Sequence, residues 1–367
     1  MRYSNNLEIK LGSNVYTLLW LTRDAKSVHE VADFGDGTSD AMAHFADFYN
    51  KQPYASLLQD PTYGDVIATY YKGARHIAAL TCGGKIIGMA QFIVMREGTF
   101  WEAVRLEGGP VLSSAYNNEE AFNAFCILWA RLWPRRLGRV RRFLPMIYAK
   151  SGAYSLEAVR DSEGVYKEER DNVWGMDNCD QAQEILVGAG WKPMVAPYQT
   201  IRLSVDDDWN LRKNWRNSYH NAIRASLRIQ WDDGGSQLLY FRRMENIQAK
   251  KKAYRTMSEN LWQLLMQKFA SVGQVHIARV YDGDILCAGA LFIRHGQTAT
   301  YQVAFTTKEG RAKGAQNFLL MEAQKKMRSL HAKSIDLGGV NDVSAQGVKY
   351  FKEGLGGQNI WCAGIYR

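Results

Sequence analysis

The sequence predicts an α+β protein with mixed, mainly antiparallel sheets, built twice along one chain. Three observations lead there. Strands come in hairpins: 75–81 and 85–95 flank Cys82-Gly83-Gly84, and 276–280 and 285–294 flank Tyr281-Asp282-Gly283-Asp284. Helical segments fall between strands without the strict alternation of a parallel βαβ sheet. Residues 76–93 laid on 276–293 without gaps match at seven of eighteen positions (His, Ile, Ala, Gly, Ala, Phe and Ile), where chance gives roughly one. A repeat at that separation is a duplicated domain, not a solenoid.

In chain order, 40–60 reads as a helix and a connection, with Ala43, Phe45, Phe48 and Tyr49 as core candidates. After the first hairpin, 100–106 is a third strand that stops at Gly108-Gly109-Pro110. Phe122, Phe125, Cys126, Trp129 and Trp133 keep a three-and-four spacing, so 119–133 is a helix, ended by Pro134. Strand 142–149, helix 181–187 and strand 199–205 follow. The second half repeats the order: after its hairpin come strand 298–305 and a helix over 312–330. Ala315, Leu319, Ala323, Met327 and Leu330 share one face of that helix. Ser334 to Leu337 is a short buried strand broken by Gly338-Gly339. A polar segment leads to Tyr350-Phe351-Lys352, the glycines at 354, 356 and 357, and a last strand over 359–366. The domains are 1–196 and 197–367, with the boundary near 193–197.

At 367 residues, 46% hydrophobic and 12% aromatic, the chain can build two sizeable cores. It has no apolar span of about 20 residues, so no membrane insertion is expected, and its start lacks a signal-peptide run. Five scattered cysteines form neither a disulfide framework nor a zinc site and suit a reducing cytoplasm. Seven histidines lack ligand spacing, so no metal is expected. A net charge of +9 favours a polyanionic partner or substrate.

Three basic features carry candidate chemistry. In residues 211–231, Arg212, Arg216, His220, Arg224 and Arg228 recur every fourth position, a slowly winding stripe on one helix. Asp206 to Asp208 are its possible N-caps, and Trp215, Tyr219 and Ala222 its anchoring face. Such a face suits a phosphate-bearing substrate or an RNA backbone, and equally a solvated surface helix. Arg135, Arg136, Arg139, Arg141 and Arg142 lie together with no acid among them, which reads as a flexible solvated loop. Arg311-Ala-Lys-Gly314-Ala315-Gln316 partly matches a loop that holds the pyrophosphate of coenzyme A on backbone amides, except that Gln316 stands where a small residue is expected. There is no Walker loop, Rossmann glycine fingerprint or HExxH motif, and no convincing Ser/His/Asp set.

Four segments in order, Trp215 to Leu227, Arg311 to Leu320, Asp336-Leu337-Gly338-Gly339, and Phe351-Lys352 with its glycines, resemble the FemX-type family. These are tandem acetyltransferase-like (GNAT) folds that form amide bonds using aminoacyl-tRNA. Arg105 followed by Gly109-Pro110-Val111 looks like the family's strand-ending glycine-proline, although three residues intervene. The long antiparallel helical arm of some members is missing, since only about thirty residues (244–271) occupy its place. The resemblance implies two GNAT domains, with a last strand that returns to the first. It also implies an acceptor amine attacking the ester of an aminoacyl-tRNA, with no further cofactor. Lys352 matches the lysine near the reacting centre, and Asp336 and Asp342 are candidate proton acceptors. Arg216 matches the arginine near acceptor phosphates, with Arg212, His220 and Arg224 beside it. Arg311, Gly314 and Tyr301 are the donor-side candidates. The acceptor is expected to be a small soluble amine, either a peptidoglycan precursor or a peptide or natural-product precursor, and the protein a cytoplasmic monomer. An acyl-CoA-dependent N-acyltransferase and a non-catalytic RNA-binding module stand as alternatives.

Overall fold

The structure, a computed structural model, describes residues 6–22, 40–53, 55–97, 100–113, 119–147, 179–195, 198–252, 256–340 and 346–367. The chain divides into two compact units, Met1–Gln199 with Asn359–Arg367, and Thr200–Gln358. The first opens with β1 (Asn6–Leu11), β2 (Asn14–Trp20), α1 (Ala41–Lys51), α2 (Pro61–Tyr70), β3 (Ala74–Cys82), β4 (Lys85–Glu97) and β5 (Trp101–Glu107). It continues with β6 (Val111–Leu112), α3 (Glu119–Leu132), β7 (Arg139–Leu144), β8 (Met146–Ile147), α4 (Cys179–Gly188) and β9 (Pro193–Val195). Then come β10 (Tyr198–Ser204), α5 (Lys213–Arg224), β11 (Arg228–Asp232), α6 (Leu238–Lys252), α7 (Glu259–Ser271), β12 (Val275–Asp282) and β13 (Ile285–His295). The chain closes with β14 (Thr298–Thr306), α8 (Lys308–Ala312), α9 (Ala315–Ser329), β15 (Ser334–Val340), α10 (Gln346–Glu353), β16 (Gln358–Cys362) and β17 (Ile365–Tyr366).

The first unit's sheet runs β1-β2-β3-β4-β5-β7-β17-β9, with β6 on β4. It is antiparallel except for β5 and β7, which are parallel because α3 carries the chain back across the sheet. The second unit's strands run β11-β12-β13-β14-β15-β10, again with one parallel step, β14 to β15 across α9. The duplication extends to register. His76 faces Phe92 and Ala78 faces Ala90, and 200 residues later His276 faces Phe292 and Ala278 faces Ala290. Both hairpins shift register at the equivalent place, after Leu80 and after Val280.

Two cores sandwich the first sheet. Phe125 and Trp129 of α3 lie against Phe92 on one face, and Phe45 and Tyr49 of α1 join Ile77, Ala79 and Met89 on the other. Burying each such side chain stabilises the fold by about 1.5–3 kcal/mol relative to leaving it exposed. In the second unit α5 and α9 cover one face through Trp215, Ala222, Leu319 and Ala323. Phe241 of α6 meets Phe305 of β14, ring centroids 5.2 Å apart.

Several expectations are corrected. The β1–β2 hairpin and α2 were not anticipated. α2 nevertheless has a plain start signal, because the Asp60 carboxylate accepts from the Thr62 and Tyr63 amides and Pro61 sits at the first helical position. The basic helix is shorter than 211–231. It ends at Arg224, Ser226 turns the chain at φ +52°, and Arg228 lies on β11, donating to Gly283 O. Its N-cap is Arg212 with no side-chain cap bond, not one of the aspartates. The helix over 312–330 starts at Ala315, after a left-handed Gly314. The arginine cluster is not a free loop. Most of it lies on β7, and the parallel register Glu102↔Arg139 brings two carboxylates of β5 beside it. Glu102 pairs with Arg136 at 3.0 Å and Arg139 at 2.7 Å, and Glu107 with Arg142 at 2.6 Å.

Candidate active site

The second unit's parallel strands do not stay together. The β14–β15 ladder holds for three residue pairs, Thr298↔Ser334 to Thr300↔Asp336, yet both strands continue beyond it. A Cβ on Gly338 would stand 3.4 Å from Tyr301 O, whereas one on Gly339 would meet nothing within 4 Å. The ladder therefore ends at Asp336, just before the two glycines. Gly338 also has φ +70°, a left-handed turn that favours glycine.

Lys352 lies at that opening. It belongs to the last turn of α10, is 7% exposed, and its Nζ donates to Gly338 O at 3.2 Å and Gly339 O at 2.8 Å. Unpaired carbonyls of a parted strand need donors, and an ammonium group with three N–H bonds meets two of them and keeps a third. Burial pushes the lysine pKa from the usual 10.5 down to about 8, with Asp336 pulling weakly the other way. Asp336 itself is occupied: one carboxylate oxygen accepts from Thr200 Oγ1 and from the Gly338 amide. That arrangement fixes the glycine turn and engages one of the two carboxylate oxygens of Asp336. Asp342, the other candidate acceptor, lies outside the described residues.

The helix that carries Lys352 is anchored to the basic helix. Phe351 stacks near Trp215, ring centroids 5.8 Å apart, and a Cβ on Gly354 would press within 2.9 Å of the Trp215 ring. Arg212 lies over the Tyr350 ring at 4.0 Å and its amide donates to Gly354 O. Of the four phosphate-side candidates, Arg212 is thus joined to the lysine helix. Arg216, four residues on, is exposed, its Nη2 donating to Leu211 O. His220 and Arg224 are exposed further along the helix, Arg224 bonded to Asn221.

The donor-side candidates lie on β14, on α8 and at the turn before α9. The Tyr301 hydroxyl accepts from Gln316 Nε2 at 2.8 Å, and Gln316 Oε1 accepts from Thr306 Oγ1 at 2.9 Å. Burial raises the phenol pKa above its usual value, so Tyr301 stays protonated. Arg311 donates to Thr306 O. Gly314 packs so tightly against Ser218 of α5 that an added Cβ would lie 2.2 Å from the Ser218 carbonyl oxygen. Gln316, Thr306 and Thr200 were not singled out from sequence, although the glutamine's place where a small residue was expected was the available signal.

A family model described as "Acetyltransferase (GNAT) domain" matches residues 210–353, which include α5, Gly314 and Lys352. The first unit repeats the strand order of the second, and its hairpin the register. The chain has the tandem GNAT fold. Among solved structures, "Crystal structure of FemX" superposes with a TM-score of 0.64 at 14% identity, covering 89% of this chain and 95% of that one. A conserved protein of unknown function from Bacteroides thetaiotaomicron superposes with a TM-score of 0.50 at 10% identity, covering 88% and 95%. No match was found among curated proteins. The GNAT match supports an acyltransferase.

Proposed function

We propose that the protein is an aminoacyltransferase that moves an amino acid from charged tRNA to the amine of a small soluble acceptor, a peptidoglycan precursor or a peptide or natural-product precursor. The carrying observation is the buried Lys352 at the opening of β14 and β15, with one N–H left over and Arg212 of the basic helix docked on the same short helix. In this reading the acceptor nitrogen attacks the ester carbonyl, a C–N bond forms, the ester C–O bond breaks, and the amine proton ends on the ribose hydroxyl that leaves. An ester is activated relative to the amide formed, so holding the amine in line supplies much of the rate. The third N–H of Lys352 meets the oxyanion of the tetrahedral intermediate. Arg216 and its helix neighbours meet acceptor phosphates. Gln316 supports a donor other than coenzyme A, because its tied side chain fills the position that a pyrophosphate loop keeps small.

The experiment offers the protein both donors. Bulk tRNA charged with labelled amino acids, and separately acetyl-CoA, are incubated with amine acceptors, and the acceptors are analysed by mass. An aminoacyl mass increment with the first donor is expected. An acetyl increment with acetyl-CoA and none with charged tRNA would sink the proposal in favour of an acyl-CoA-dependent enzyme.

A further inference from the structure

The first unit carries a concavity of about 770 Å³ formed by β5, β7 and neighbouring residues, separate from every residue given a role above. Its size falls within the range of small-molecule sites, roughly 300–1,000 Å³. Eight of its fifteen lining residues are cationic and none is acidic. Behind the wall Glu102 holds Arg136 and Arg139, and Glu107 holds Arg105 and Arg142. Glu102 is shared further with Arg96, so the two carboxylates do not balance the eight cations, and Arg141 and Lys192 have no carboxylate partner among the described residues.

Arg141 sharpens the point. It is 7% exposed, its Nη1 donates to Trp133 O at 2.8 Å, and its guanidinium lies 4.4 Å from the centre of the Trp191 ring. Its Nη2 is buried without a hydrogen-bond partner. A buried guanidinium without a counter-charge is costly, and like charges on both sides add to the cost. Burial and then Arg135 and Arg139 push its pKa down to about 10. The rest of the wall is apolar, with Met95, Val140 and Met194 beside the rings of Tyr71 and Trp101. An anion held in the concavity would offset the charge of this wall. Several guanidinium groups around one concavity match the several oxygens of a phosphate chain better than the two of one carboxylate.

We propose that this pocket is a second ligand site, taking the di- or triphosphate group of a small molecule. It is independent of the acyl-transfer reading. The test is calorimetric titration of the full chain with inorganic pyrophosphate, adenosine 5′-diphosphate and adenosine. Pyrophosphate and the diphosphate bind, and adenosine does not. The double variant Arg136→Ala/Lys192→Ala, which alters two accessible cations, weakens pyrophosphate by about tenfold, equal to about 1.4 kcal/mol. The charge-matched control Lys250→Ala/Lys251→Ala, on exposed residues of α6 in the other unit, leaves it unchanged. Far-UV circular dichroism and the unliganded melting curve check that both variants are folded. No heat with pyrophosphate up to millimolar concentration, equal loss in both double variants, or adenosine binding as tightly as its diphosphate would each overturn the assignment.

Discussion

The two units share an order of strands and the register of one hairpin, and they differ at the parallel pair. In the first unit, β5 and β7 are zipped over six residue pairs, Glu102↔Arg139 to Glu107↔Leu144, and Gly108 N extends the ladder to Leu144 O. The end of that pair is polar but satisfied: Glu107 Oε1 accepts from Arg105 and Arg142, and Gln59 Nε2 donates to Glu107 O. In the second unit the equivalent pair, β14 and β15, parts after three residue pairs, and a buried lysine holds the carbonyls exposed by the parting. Closing a parallel pair makes a wall, and opening it makes a place where a reacting group can enter. The two copies thus differ in what the parallel pair holds: a closed ladder in one, an opened one with a buried lysine in the other.

The largest effect should fall on the open pair. Lys352→Ala is expected to lower turnover with charged tRNA by a factor of about 100 to 1,000, roughly 3–4 kcal/mol of transition-state stabilisation, with circular dichroism unchanged. Turnover within about threefold of wild type, roughly 0.7 kcal/mol, removes the lysine from the chemistry. The closed pair should respond in stability instead. Leu106→Ala deletes a side chain that is wholly buried in the zipped strand and should cost about 2–4 kcal/mol in denaturant unfolding. Its kcat at saturating substrates should stay near wild type, and a collapse of kcat in the folded protein would break the division between wall and site.

A third outcome concerns pH. The Lys352 pKa is depressed to about 8 from 10.5, so the unfolded chain holds more protons than the folded one between those values. Stability therefore rises with pH across that window, and Lys352→Met should flatten the rise. Activity should run the other way under the proposed role, in which the ammonium form meets the oxyanion, so kcat should fall as pH rises through about 8. A kcat that climbs through 8 would make the lysine a base. The smallest effect belongs to exposed Arg216, whose replacement by Ala should raise KM about threefold and reduce its salt dependence, with kcat unchanged.

Much of this comparison was legible in the residues and one decisive part was not. The hairpins, α3 and α9 announced themselves by turn glycines and helical spacing, and the match of 76–93 to 276–293 foretold a register that proved identical. Lys352 stood out beside Phe351 and its glycines. The arginines of 135–142 were misread because their carboxylates, Glu102 and Glu107, are over thirty residues away in sequence and meet them only through a parallel register. Local charge counting cannot see a partner brought by a crossover helix. The end of the basic helix was missed for a similar reason. Ser226 adopts a left-handed conformation without being glycine, so nothing in its type marks the turn. The parting of β14 from β15 is a matter of ladder length, and a glycine pair permits it without requiring it.

The path of the last strand has a further consequence, in time rather than space. β17 pairs with β7 and β9, so the first unit's sheet is finished by residues synthesised after the whole of the second. On the ribosome β10 to β15 can pair while the first unit still lacks a strand between β7 and β9, and β16 joins β10 only just before β17 is made. The copy that begins the chain is therefore completed only after α10 and its lysine have been made.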